Sequence, residues 1–119
     1  MSEKKYRWVQ FAPAGEIVAA ENEVVVVEAN HKKVCVTRWQ GGLYAFAYKC
    51  PHAGGILADG EIDASGNVIC PVHRYKYNIR NGFNSSGEGY YLSHYPVDQR
   101  EDGIYIGFPE TSIWDIFKK

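Results

Sequence analysis

The sequence has little cysteine, little net charge and no long hydrophobic run. It has three cysteines in 119 residues and a net charge of −1 with scattered basic residues. The low charge excludes the footprint of a nucleic-acid binder or of a polybasic membrane surface. The four valines at 24–27 are too few to span a bilayer, and residues 1–10 lack the apolar run of a signal peptide or anchor. We therefore expect a cytoplasmic protein without a membrane or nucleic-acid partner.

What is present indicates one folded β-rich domain. A chain of 119 residues, 45% of them hydrophobic, is long enough for one core and too short for two ordinary domains, so we expect a single domain over 1–119. Nine Tyr, five Phe and three Trp suit a small β domain that fills its interior with rings.

Short apolar or alternating segments recur every eight to twelve residues, separated by Gly, Asn, Asp and Ser turns. This spacing predicts an all-β sandwich or barrel. A capped segment at 111–118 predicts a short C-terminal helix or a tail packed on the sheet. The predicted strands are Tyr6–Phe11, Glu23–Ala29, Lys33–Gln40, Leu43–Tyr48, Glu61–Asp63, Val68–Cys70, Tyr75–Ile79, Tyr90–Asp98 and Ile104–Phe108.

The chemistry lies in two short segments, each with one thiol and one imidazole. The first reads Cys50-Pro-His52 and the second Cys70-Pro-Val-His73, with seventeen residues between them. Such close spacing lets one turn present two ligands to a metal centre. Zinc accepts two S and two N ligands, but its usual spacing pairs Cys with Cys and His with His. Because the ligand types fit zinc although the spacing is unusual for it, a structural zinc module stays an alternative.

These residues resemble the two cluster-binding loops of Rieske proteins, in which two His replace two Cys on one iron of a [2Fe-2S] cluster. A Pro after each Cys and Gly54-Gly55 after the first pair add to the likeness, which is strongest over about residues 48–83. The resemblance is closest to small soluble ferredoxins that serve aromatic-ring dioxygenases. It implies an antiparallel β-sandwich with a small cluster-binding subdomain at one tip, and one Rieske cluster held by Cys50, His52, Cys70 and His73.

The sequence departs from the cytochrome bc-type members of this family at several positions. Their loops carry an extra pair of cysteines joined as a disulfide, where this chain has Gly55 and Val72. A serine that bonds a bridging sulfide is replaced by Tyr75, whereas Tyr77 occupies the position of a tyrosine that bonds a cysteine sulfur. We expect a reduction potential in the low to middle part of the roughly −150 to +300 mV range. Many family members have a Pro-containing segment that covers the cluster, but residues 85–90 of this chain contain no Pro. We therefore expect a cover over the cluster that is looser or built from Tyr90 and Tyr91.

The resemblance implies an electron carrier, not an enzyme, which would transfer one electron at a time from a flavin-dependent reductase to a terminal oxygenase or other oxidoreductase. An oxygenase subunit would need several hundred residues and a mononuclear iron site. A Rieske-fold small subunit of a nitrite reductase is a second alternative, although such subunits commonly lack the ligands. We expect a monomer or weak oligomer. Cys35 is expected to be a buried hydrophobe, and His31 and His94 are expected to lie outside the site.

Overall fold

The computed structural model describes residues 5–52, 54–72, 74–85 and 89–110 and contains ten strands. Its only other regular element within those ranges is one turn of 3-10 helix at Leu57–Asp59. Nothing in the described ranges forms a helix long and apolar enough to cross a bilayer. The predicted helix at 111–118 lies outside the described residues. The strands are β1 (Tyr6–Ala12), β2 (Val24–Ala29), β3 (Lys32–Trp39), β4 (Gly42–Ala47), β5 (Glu61–Ile62), β6 (Asn67–Ile69), β7 (Lys76–Asn78), β8 (His94–Tyr95), β9 (Val97–Arg100) and β10 (Gly103–Pro109).

The strands form three antiparallel sheets. Their orders are β1-β10-β9, β2-β3-β4-β8 and β5-β6-β7. Pairing of β1 with β10 joins the two ends of the described chain, and β2, β3 and β4 form a meander through tight turns. The all-β, antiparallel prediction is therefore confirmed.

The four-stranded sheet is the middle layer of the molecule. Strand β3 is buried at consecutive positions, which places side chains of both its faces in cores. Val34 and Val36 pack with residues of β1 and β10, such as Ile104 and Ile106. Cys35, between the two valines, packs on the opposite side with Phe46 and residues of the β5-β6-β7 unit. The small β5-β6-β7 sheet thus packs on the face of the four-stranded sheet that is opposite to β1 and β10.

One predicted strand is wrong in extent. The segment Tyr90–Asp98 is divided into the two-residue strand β8 and the strand β9, and they belong to different sheets. Pro96 lies between them and has no N–H to donate to a ladder. Tyr90 and Tyr91 precede β8, lie outside any strand and are exposed.

Candidate metal centre

The two predicted ligand loops begin with the same backbone arrangement. In the first ligand loop, residues 50–55, the N–H of Cys50 donates to the carbonyl of Gly55 at 2.8 Å and the N–H of Gly54 donates to the carbonyl of Cys50 at 2.9 Å. In the second ligand loop, residues 70–75, Cys70 and Tyr75 make the first of these bonds and Arg74 and Cys70 the second, both at 2.8 Å. Two similar turns therefore present the two cysteines.

The fifth residue of each loop has a left-handed backbone. Gly54 has φ of 71° and Arg74 has φ of 58°. Glycine adopts this conformation without strain, whereas a long side chain with a Cβ does so at a cost of about 1 kcal/mol or more. The turn hydrogen bonds of the second loop hold Arg74 in this conformation, and its side chain is exposed.

The predicted donor atoms that the structure describes are buried. Cys50 is 3% exposed, Cys70 is 0% exposed, and both belong to one core cluster. Nδ1 of His52 is also buried, although the residue as a whole is partly exposed. His73, the fourth predicted ligand, lies outside the described residues. Buried thiols and a buried imidazole nitrogen are the donor set that a mixed Cys/His centre requires.

The two loops pack directly against each other. A Cβ added to Gly55 would lie 2.9 Å from Sγ of Cys70 and 2.6 Å from a methyl carbon of Val72. A side chain at position 55 would therefore require Val72 and Cys70 to move. No disulfide joins any of the three cysteines, so the contact between these loops is noncovalent.

A hydrogen bond connects the site to the core. Oη of Tyr77 lies 3.3 Å from Sγ of Cys50, as the resemblance implied for this position. Tyr77 is fully buried, and burial together with this hydrogen bond raises the pKa of Tyr77 well above its usual value. The phenol therefore keeps its proton, and it is the natural donor to a thiolate at Cys50.

Two tyrosines contact the imidazole of His52. The ring of Tyr75 is stacked on it with a centroid distance of 4.2 Å and an interplanar angle of 22°. The ring of Tyr90 lies at 5.0 Å with a tilt of 55°. Tyr91 instead packs edge-on against Phe83. The sequence predicted a cover that is looser or built from Tyr90 and Tyr91, and of these two only Tyr90 contacts His52. The stacking of Tyr75 was not predicted; its only signal was an aromatic residue two positions after a predicted ligand.

The other candidate residues lie where the sequence indicated. Cys35 is fully buried in β3, and burial, reinforced by the charge of Asp59, raises the pKa of Cys35 to about 12. His31 lies in the turn between β2 and β3, and His94 begins β8; both are exposed. Across the described ranges, no three His, Cys, Asp or Glu side chains gather closely enough to hold one ion.

Comparison with known proteins identifies the kind of domain. A family model described as "Rieske [2Fe-2S] domain" matches residues 7–88. A human "Rieske domain-containing protein" is 30% identical over 98 residues, which are 80% of this chain and 58% of that protein. The chain thus spans a little over half of that relative and smaller shares of the other curated relatives it matches.

Solved structures share the fold at low sequence identity. The ferredoxin of Sphingomonas yanoikuyae B1 superimposes with a TM-score of 0.73 at 20% identity, covering 87% of this chain and 100% of that one. A putative NADH-dependent nitrite reductase small subunit from Mycobacterium tuberculosis has a TM-score of 0.75 at 17% identity, covering 89% and 98%. At these identities, the likeness concerns the fold alone.

Proposed function

Since this chain belongs to the Rieske [2Fe-2S] domain family, we propose that it is an electron carrier that passes one electron at a time from a reductase to a terminal oxidoreductase. The family implies a Rieske-type [2Fe-2S] cluster, whose chemistry is reversible one-electron reduction. The single observation that carries the proposal is the burial of two thiols and one imidazole nitrogen on two loops that touch.

The residues fit the cluster in number and in kind. We propose that Cys50 and Cys70 hold one iron and that His52 and His73 hold the other. Neutral imidazoles in place of two thiolates lower the negative charge of the centre, which favours uptake of an electron.

Two features of the chain bear on the reduction potential that we propose for the cluster. The Tyr77 hydroxyl stabilises negative charge on Cys50 and raises the potential, whereas Tyr75 replaces a serine that would do the same for a sulfide. We therefore propose a midpoint in the low to middle part of the roughly −150 to +300 mV range of Rieske centres. A midpoint near the top of that range would contradict this account of the donors.

The proposed partners are redox proteins: a flavin-dependent reductase on one side and a terminal oxygenase or other redox enzyme on the other. Support comes from the fold, which the ferredoxin of carbazole 1,9a-dioxygenase from Nocardioides aromaticivorans IC177 shares with a TM-score of 0.71 at 20% identity. We further propose that the carrier works in the cytoplasm as a single domain and as a monomer or weak oligomer. A reducing compartment is consistent with three cysteines that form no disulfide.

The nitrite reductase small subunit is the second candidate, favoured by the TM-score of 0.75 to such a subunit. The two candidates differ in whether they need a metal centre. A carrier needs the cluster, whereas the resemblance implies that nitrite reductase small subunits commonly lack the cluster ligands. This chain retains both Cys-His pairs in its sequence, which supports the carrier. A colourless protein that binds a larger reductase subunit would support the second candidate instead.

The deciding experiment measures iron, zinc and acid-labile sulfide in the purified protein and records visible and EPR spectra before and after dithionite. We expect two irons and two sulfides per chain and a reduced signal with the low average g value of mixed Cys/His ligation. Cys50→Ser should abolish this signal, while Cys35→Ala should keep it, because Cys35 lies in a strand and not in a ligand loop. One zinc and no colour would refute the electron carrier and leave a structural zinc module.

A further inference from the structure

The imidazole of His52 is in contact with aromatic rings from two separate parts of the chain. Tyr75 closes the second ligand loop, and Tyr90 follows the segment after β7. The Tyr75 ring is nearly parallel to the imidazole at 4.2 Å, while the Tyr90 ring is inclined to it at 5.0 Å. The two tyrosine rings lie 6.2 Å apart, so the three rings form one group, which we call the His52 aromatic group.

This group connects the two ligand loops, which no disulfide joins. His52 belongs to the first loop and Tyr75 to the second, so their stacking is a further contact between the loops besides that of Gly55 with Val72. With no disulfide among the three cysteines, the relative position of the loops depends on such noncovalent contacts. Offset-stacked rings contribute about 0.5 to 1.5 kcal/mol beyond their buried area.

We propose that Tyr75 and Tyr90 are positioning residues that fix the plane of the His52 imidazole toward the metal centre, with Tyr75 acting as the brace between the loops. The inference rests on the proposed function, since it concerns a ligand of the proposed cluster. An imidazole turns about its Cβ–Cγ bond, and contacts around a ligand restrict that rotation. Here the contacts are one stacked ring, that of Tyr75, and one inclined ring, that of Tyr90.

The geometry assigns unequal roles to the two tyrosines. Tyr75 is partly buried and covers the face of the imidazole, so its removal frees one side of the ring and one link between the loops. Tyr90 is 41% exposed and meets the imidazole at an angle, so its removal frees less. Because both act on one ring, their effects should depend on each other.

The test compares Tyr75→Leu, Tyr75→Phe and Tyr90→Leu with Tyr91→Leu in the cluster-loaded protein. Tyr91 is the matched control, because it is the neighbour of Tyr90 in sequence, is 67% exposed and packs on Phe83 rather than on His52. The readouts are the g values and line widths of the reduced EPR signal, the midpoint potential, and the rate of bleaching in excess EDTA.

We expect Tyr75→Leu to broaden or shift the EPR signal and to bleach about two to ten times faster than wild type, the range that corresponds to a lost ring pair. Tyr75→Phe and Tyr91→Leu should match wild type, and Tyr90→Leu should show a smaller change. An unaltered EPR signal in Tyr75→Leu, or equal damage in Tyr75→Phe, would overturn the inference. If Tyr75→Leu does not fold, Tyr90→Leu decides, and an unaltered signal there would also overturn it.

Failure of the inference and failure of the proposed function give different results. A wild-type protein without a Rieske spectrum would remove the proposed function itself. A wild-type protein with that spectrum, whose Tyr75→Leu variant has the same EPR line shape and bleaching rate, would leave the carrier intact and remove only the role of the aromatic group.

Discussion

Direct packing of the ligand loops predicts that a disulfide can be introduced between positions 55 and 72. A Cβ built on Gly55 lies 3.4 Å from Cβ of Val72, close to the Cβ separation of about 3.5 to 4.5 Å in disulfides. The Val72 methyl carbon at 2.6 Å, which would clash with a side chain at 55, is removed by the second substitution. We therefore expect Gly55→Cys/Val72→Cys to form a disulfide in air.

The expected gain in stability follows from the length of the closed loop. Positions 55 and 72 are 17 residues apart, for which loop-closure entropy gives about 3 kcal/mol. Against this stands the contact of the new Cβ with Sγ of Cys70 at 2.9 Å, which forces a small shift of a ligand atom. Overpacking of this kind costs about 1 to 2 kcal/mol. A net gain of about 1 to 2 kcal/mol would raise the melting temperature by about 4 to 8 °C.

The assay is peptide mapping of the cluster-loaded double variant by mass spectrometry without reductant, followed by thermal melts with and without a reductant. The matched control is Gly54→Cys/Val72→Cys. A Cβ at Gly54, one residue earlier, has no atom within 4 Å, so its thiol should not reach position 72. Only the first pair should become cross-linked, and only its melt should respond to reductant.

Two results would refute the reasoning. Absence of the cross-link in Gly55→Cys/Val72→Cys would mean that the loops do not pack as described. Equal cross-linking of the control pair would mean that the loops are too mobile for the geometry to select a partner. Either result would also weaken the role assigned to stacking between the loops, since both depend on the same approach.

Three further predictions concern single residues. Tyr77→Phe removes the hydroxyl 3.3 Å from a ligand sulfur and should lower the midpoint potential by roughly 40 mV, the equivalent of about 1 kcal/mol, in protein-film voltammetry; an unchanged midpoint would contradict the hydrogen bond. Gly82→Ala places a Cβ 2.1 Å from a backbone oxygen and should lower the free energy of unfolding by about 2 to 4 kcal/mol. Gly41→Ala is the control, because Gly41 also has a left-handed backbone but lies in open space; it should lower the free energy of unfolding, measured by chemical denaturation, by about 1 kcal/mol. Burial raises the pKa of Cys35 to about 12, so its thiol stays protonated between about pH 7 and 10. Alkylation of Cys35 by iodoacetamide in the cluster-loaded protein should therefore not accelerate over that pH range. Rapid labelling would mean that Cys35 lies at the surface.

Local chemistry is what the sequence by itself determined. The Cys-x-His and Cys-x-x-His spacings predicted the ligand segments, because a turn of a few residues decides which side chains can reach one centre. Alternation of side chains and turn residues predicted most strands to within two residues, and the fold class with them. The family resemblance implied that Tyr77 bonds a cysteine sulfur, and the hydroxyl of Tyr77 lies 3.3 Å from Sγ of Cys50.

Only the tertiary structure decided how these parts meet. The sequence read Tyr90–Asp98 as one strand, but Pro96 and the demands of two separate sheets divide it. Burial of β3 on both faces depends on a third sheet that no local pattern assigns to its back. The stacking of Tyr75 on His52 joins residues of two loops, and it exists because the backbone at Gly55 allows those loops to touch. Contacts between distant segments depend on the whole fold, which local residue preferences do not specify.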